Sequence, residues 1–331
     1  MIDLLHLEPT RISKNLKGKF ILLYGLPKVG KTEFLSKMPK SLILSFEPGT
    51  NALNNVYAVP IQTWSDFKAA ISQLRLPALK EKFDVIGIDT ADMAYELCIK
   101  QICSNNGVSQ LGDIPYGQGY DLAKKEFSGA LNELAFMGYG LAFTSHSTEK
   151  KLTNEKGEEF LQLAPAMPNR AYDIVNKLVD IIGYIRELPP VNPDERNVKI
   201  YLRGNDRFWA GSRFKYIEPV VDFSYESVAN AIYSAIDKEI SATTGGSIEN
   251  QTSDEYNPYF KVSYSSLMDE AKQDWLDLTN ANGENAQKIL DKVDELMGTP
   301  GAHTKISAIS EDKIEILQQV VDFMKNMSKG S

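Results

Sequence analysis

Residues 20–32 read Phe-Ile-Leu-Leu-Tyr-Gly-Leu-Pro-Lys-Val-Gly-Lys-Thr. The apolar run Phe20 to Tyr24 stops at Gly25, as a short buried strand does. From Gly25 to Thr32 the chain follows the G-x-x-x-x-G-K-T phosphate-loop pattern. Gly25 and Gly30 let the backbone curl until successive N–H groups converge on one phosphate. A helix opening at Lys31 adds its positive end. The pattern assigns nucleotide phosphates to Gly25, Leu26, Pro27, Lys28, Val29, Gly30, Lys31, Thr32 and Glu33. Lys31 is to reach the β- and γ-phosphates of ATP, and the Thr32 hydroxyl is to ligate magnesium (Mg2+). At average glycine usage such a pattern arises by chance in roughly one chain of this length in a hundred. A chance match would seldom stand between a strand and a helix.

Outward from this loop, strands and helices alternate. Residues 42–46, 84–88 and 140–145 are further short apolar runs, and residues 64–75, 91–103 and 119–137 carry helical spacing. The alternation predicts an α/β fold with a doubly wound, mostly parallel sheet covered on both faces. Ligands in such folds bind beyond the carboxyl ends of the strands. Residues 149–164 alternate in polarity around Asn154-Glu155-Lys156-Gly157 and predict a hairpin. A helix at 170–177, strands at 178–185 and 197–203 and a helix at 225–239 complete the expected core. Residues 241–258 have the composition of a linker. The expected division is an N-terminal segment 1–18, a core 19–240, a linker 241–258 and a small acidic helical module 259–331.

Composition narrows the functional classes. The 331 residues are 43% hydrophobic and 24% charged, with a net charge of −8. The excess is uneven: residues 241–331 hold 15 acidic against 8 basic side chains, and residues 1–240 hold 29 against 28. A basic nucleic-acid binder throughout is excluded, but a near-neutral core leaves room for a local basic patch. No apolar run reaches the roughly 18–20 residues of a membrane span. The first 16 residues carry no secretion pattern, which points to the cytoplasm. Cys98 and Cys103 match no metal or redox spacing and read as buried thiols.

Four positions beyond the loop are candidates for chemistry. Asp89 ends the run Phe83–Asp89 and is placed to hold magnesium, on a strand expected next to the loop strand; the alternative is an N-cap for the helix that follows. Asp84 competes with it but stands at the strand's start. Glu47 follows the second strand, either as the base that activates water or as a solvated glutamate before the Pro48-Gly49 turn. His146 ends the fourth strand, either as a donor to the γ-phosphate or as an ordinary histidine. Tyr116 and Tyr120 flank a Gly-Gln-Gly turn and are candidates for base stacking. Lys150, Lys151 and Lys156 share one hairpin and are candidates for phosphate neutralisation. A solvated hairpin and a packed tyrosine loop are the plainer readings.

With these segments placed, residues 18–220 resemble the RecA-type core ATPases, and more closely the compact RecA-like recombination or single-strand annealing ATPases of bacteriophages. The resemblance rests on Ser45-Phe46-Glu47-Pro48 after the second strand, on Gln110–Gly119 before a long helix, on Thr144-Ser145-His146 and on Asn169–Arg186. It implies that Glu47 activates water, that His146 senses phosphate, and that residues 110–119 and 147–168 are DNA-binding loops. Arg203, Arg207 and Arg213 then become candidates to reach a neighbouring subunit's ATP site, because no cis arginine stands near the motifs. The implied protein binds single-stranded DNA with ATP and magnesium, self-assembles as a ring or filament, works in a host cytoplasm and offers residues 259–331 to a replication or recombination partner. A hexameric helicase or its loader, a small-molecule kinase and an ATP-gated binding module are the alternatives. The arginine-free stretch 147–168 counts against the kinase.

Overall fold

The computed structural model describes residues 18–50, 53–153, 155–190, 196–244, 264–310 and 313–329. The expected N-terminal segment, apart from residue 18, and most of the expected linker lie outside the described residues. The described chain falls into two compact units, residues 18–244 and residues 264–329.

The first unit alternates strands and helices. In order it comprises β1 (Phe20–Gly25), α1 (Lys31–Lys37), β2 (Ser41–Ser45), β3 (Ala58–Pro60), α2 (Trp64–Gln73), α3 (Pro77–Lys82), β4 (Val85–Asp89) and α4 (Ala91–Asn105). Two short 3-10 turns lead to α5 (Gln118–Ala135), β5 (Gly140–Thr153), β6 (Glu159–Pro165), α6 (Asn169–Leu178), β7 (Ile181–Leu188) and β8 (Asn197–Tyr201). Then come β9 (Gly211–Ser212), β10 (Val220–Asp222) and α7 (Tyr225–Thr244). The sheet order is β10-β8-β7-β1-β5-β4-β2-β3, with β6 paired to β5 and β9 to β7. From β7 to β3 the neighbours are parallel, and β8, β9 and β10 add antiparallel pairings at one edge. Along β1 successive side chains point to opposite faces. Leu22 and Tyr24 join the layer of α2, α4, α5 and α6, while Ile21 and Leu23 join that of α1 and α7.

Two details depart from the sequence-based expectation. The strand of Asp89 does not adjoin the loop strand, because β5 lies between them, pairing Leu22↔Phe143 on one side and Ile88↔Phe143 on the other. Residues 140–145 are all buried, as a strand with neighbours on both edges and helices on both faces requires. In addition, β5 does not stop at its apolar run. It continues through His146 to Thr153 and pairs with β6 from Ser147↔Pro165 to Thr153↔Glu159. The segment that the resemblance implies to be a loop over 147–168 is thus largely the hairpin expected over 149–164, with its first strand continuous with β5. Its exposure alternates because only one sheet partner covers it.

Helix starts follow local chemistry. Thr63 caps α2 with a reciprocal bond to Asp66, and Thr90 caps α4 by accepting from Met93. The second unit packs α8 (Tyr264–Ala281), α9 (Glu284–Met297) and α10 (Ile314–Lys329) around Leu267, Leu278, Ile289, Val293, Leu317 and Val321. Asp294 accepts from the backbone N–H groups of His303 and Thr304, each at 2.8 Å, and so fixes the turn after α9. No described helix is long and apolar enough to cross a membrane. Cys98 and Cys103 are buried free thiols.

Candidate nucleotide site

The loop after β1 is shaped by its glycines. A Cβ on Gly25 would lie 2.7 Å from the Ile185 carbonyl, so β7 can pass only against a bare backbone. Gly30 has φ 105°, a left-handed conformation that admits the turn into α1. Lys31 is buried, and its Nζ donates to the carbonyls of Gly25 at 3.1 Å and Leu26 at 2.9 Å. Burial lowers its pKa, while the carboxylates of Asp89, Asp92 and Glu47 raise it. The ammonium is thus held by the loop's own carbonyls amid three acidic groups. Glu33 stands exposed in the first turn of α1.

Thr32 and Asp89 meet despite the intervening strand. Thr32 Oγ1 donates to Asp89 Oδ2 at 2.8 Å, and Asp89 Oδ1 accepts from the Thr144 hydroxyl. A Cβ on Gly49 would lie 3.6 Å from Thr32 Oγ1 and 3.7 Å from Asp89 Oδ2, so the bare Gly49 leaves one flank of the pair open. A hydroxyl and a buried carboxylate beside an open flank fit a hard cation such as magnesium. Asp84, at the other end of β4, faces Lys40 at 3.9 Å instead.

Glu47 is fixed by its surroundings. Its backbone carbonyl accepts from Ser45 Oγ at 2.6 Å and from Gly49 N at 2.7 Å. Its side chain accepts from Thr90 Oγ1 at 3.0 Å on Oε1 and meets His146 Nε2 at 3.3 Å on Oε2. His146 lies opposite Gly25 in the β1–β5 register, so the sheet itself brings the imidazole to the start of the phosphate loop. Thr90 both caps α4 and holds Glu47.

Two residues at this edge were missed by sequence reasoning. Asp92, in the first turn of α4, has its carboxyl pushed above the usual range by burial. Its signal was the order Asp89-Thr90-Ala91-Asp92, which puts a second carboxylate in the first turn of the helix that leaves the strand of Asp89. Arg196, just before β8, corrects the expectation that no cis arginine stands near the motifs. It pairs with Glu187 at 2.8 Å and donates to the Lys28 carbonyl of the phosphate loop at 3.3 Å. Nothing local in the sequence signals this; the antiparallel return of β8 along β7 carries it there.

The remaining candidates divide. Tyr116 is 97% exposed with φ 59°, whereas Tyr120 is 41% exposed and stacked under Arg170, whose Cζ lies 4.2 Å from the ring centre. Lys150 turns toward α6, donating to Asn169 Oδ1 at 2.8 Å, and Lys151 pairs with Glu159 at 2.6 Å. Lys156 is exposed beside the hairpin turn. The hairpin's three lysines share it with Glu149, Glu155, Glu158 and Glu159, so it carries no basic excess. Arg203 donates to the carbonyls of Ser212, Phe214 and Lys215, and Arg213 to Asp180 and the Lys177 carbonyl. Their guanidiniums are committed within the chain. Arg207 is exposed, and its backbone N–H is held by Asn205.

A sequence profile of the AAA domain matches residues 17–214, which span the phosphate loop, Glu47, Asp89 and His146. This chain belongs to the AAA-domain family. The AAA domain is a P-loop ATPase domain, in keeping with the strand–loop–helix that holds Lys31 and Thr32. The chain is also similar to the SPbeta prophage-derived uncharacterized protein YorG of Bacillus subtilis (strain 168). The two are 27% identical over 337 residues, covering 98% of each. That likeness reaches beyond the AAA domain into the second unit.

Proposed function

We propose that this P-loop ATPase is a RecA-like protein that hydrolyses ATP to switch its hold on single-stranded DNA during annealing or recombination. The reading rests above all on the course of β5. One uninterrupted strand carries Thr144 against Asp89, His146 against Glu47, and then residues 147–153 into the hairpin with β6. A change at the γ-phosphate edge therefore has a rigid path to an exposed arm.

The chemistry follows from the placed side chains. Lys31 exchanges the Gly25 and Leu26 carbonyls for phosphate oxygens. Glu47 takes a proton from water as that oxygen attacks the γ-phosphorus and the β–γ bridging bond breaks, leaving ADP and phosphate. Magnesium, held by Thr32 and Asp89, supplies charge neutralisation at the phosphate oxygens. Tyr116 presents a free aromatic face to a base. Self-assembly would bring a neighbour's arginine to the site, and Arg207 is the exposed candidate, since Arg203 and Arg213 are bonded within the chain. The second unit, with its acidic excess, would serve a protein partner. The prophage provenance of the relative agrees with a recombination role in a host cytoplasm.

The test is ATP turnover by the purified protein without DNA, with single strands and with duplex, using Lys31→Ala as the control. Stimulation by single strands above duplex is expected. Equal turnover in all three conditions refutes the DNA assignment, and wild-type turnover by Lys31→Ala refutes the assignment of the site.

A further inference from the structure

Two buried polar atoms at the nucleotide edge have no hydrogen-bond partner: Asp92 Oδ1 and His146 Nδ1. An oxygen of Asp92, an oxygen of Glu47 and a ring nitrogen of His146 all lie within 4.8 Å of one another. Buried polar groups are ordinarily paired, so the two unpaired atoms call for an arrangement that uses them.

Glu47 supplies the reason. Thr90 occupies its Oε1 and His146 Nε2 its Oε2. A carboxylate with a donor on each oxygen is a poor acceptor for a proton from water, since a bond to the charged form disfavours protonation. For Glu47 to act as the base, His146 must give up Oε2, yet its half-buried ring stays beside two carboxylates, Glu47 and Asp92. Asp92 offers the vacant acceptor. It stands in the first turn of α4, the helix capped by Thr90, whose hydroxyl donates to Glu47. The charged groups that face the imidazole are Glu47, after β2, and Asp92, on α4.

We infer that Asp92 is a positioning residue for hydrolysis: it accepts the His146 Nδ1–H and holds the ring off Glu47, freeing Oε2 for water. The inference rests on the reading of Glu47 as the base. Asp92 touches neither phosphate nor water and acts only through His146. No bond is made or broken at Asp92; the imidazole gives its Nε2 proton to water and takes one at Nδ1, a change of tautomer, so that the hydrogen bond to Glu47 is exchanged for one to Asp92.

The decisive experiment is a double-mutant cycle on the full chain. Asp92→Asn keeps the shape but weakens the acceptor. It should lower kcat about 10–100-fold, the weight of one charge-assisted bond made only in the reacting state. Affinity for a non-hydrolysable ATP analogue and the melting temperature should be unchanged, a split that loss of structure would not produce. In a His146→Ala background the same substitution should change nothing, because the partner is gone. Asp92→Glu, which keeps the carboxylate, should restore part of the rate. A full Asp92→Asn effect in the His146→Ala background, or wild-type kcat in Asp92→Asn, overturns the inference. Glu47→Gln, assayed in parallel, separates the two failures. Wild-type turnover in that variant removes the base itself, whereas loss of turnover there beside a silent Asp92→Asn removes only the role of Asp92. If Asp92→Asn does not fold, Asp92→Ser is read by the same criteria.

Discussion

Replacing Glu47 with glutamine tests the reaction at its centre. The structure says what the substitution preserves. The amide oxygen can still accept from Thr90 Oγ1, now at 3.0 Å from Oε1, and the backbone contacts to Ser45 and Gly49 are untouched. The amide nitrogen takes the place of Oε2 beside His146, and a neutral imidazole can accept from it. Glu47 acts on the phosphate loop only through its charge near Lys31; the hold on ATP is expected from Lys31 and the backbone N–H groups. Only the capacity to take a proton is lost. A general base contributes about 10²–10⁴-fold, or about 3–5 kcal/mol of barrier. The expected outcome is normal analogue binding, an unchanged thermal transition and a phosphate-release rate lowered by that factor. Steady-state phosphate release with excess magnesium and ATP, beside a binding titration with a fluorescent non-hydrolysable analogue, reads both quantities. A fall smaller than about threefold, less than 1 kcal/mol of barrier, with intact binding would refute the reasoning and return Glu47 to a turn residue.

Other perturbations follow from contacts outside the base. Tyr24, adjacent to Gly25, donates its buried hydroxyl to the carbonyls of Leu163 at 3.0 Å and Trp209 at 2.5 Å, tying the loop strand to β6. Tyr24→Phe should therefore cost about 1–3 kcal/mol in urea unfolding, the weight of one or two buried bonds, and equality with wild type would disprove that tie. Lys19 has its pKa lowered to about 8 by burial, which Asp180 partly opposes. Between pH 8 and the ordinary lysine range the unfolded chain binds the proton more fully than the folded one, so this group makes stability rise with pH there. Below pH 8 the cost of the buried charge is fully present. Lys19→Met should thus stabilise the protein at pH 7 by up to about 3 kcal/mol, with the gain shrinking toward pH 10.5. A gain that did not change across that window in paired denaturant titrations would assign it to packing alone.

The sequence by itself determined what is local. The phosphate loop is legible because its chemistry is confined to eight consecutive residues, Gly25 to Thr32, whose types dictate a curled backbone, a cation and a hydroxyl. The longer strands and helices of the first unit are legible for the same reason, since apolar runs and helical spacing act over a turn or two, but the short β3, α3, β9 and β10 are not. Even Thr63 and Thr90 announce helix starts by their own side chains.

What only the tertiary structure decided is convergence. Sequence order does not say that β5 slips between β1 and β4. That follows from pairing along both edges of a wholly buried run. Asp92 looked like one more acid in a helix, and Arg196 like a surface charge, until the sheet carried them to the loop. His146 meets Glu47 across 99 positions of sequence, and Arg196 meets the Lys28 carbonyl across 168. The arginines at 203 and 213 could not be told from free ones, because the carbonyls that hold them become acceptors only once β9 folds against β7. A side chain's chemistry belongs to its type, but its partners belong to the sheet, and the sheet is assembled from pairings that no short stretch of sequence contains.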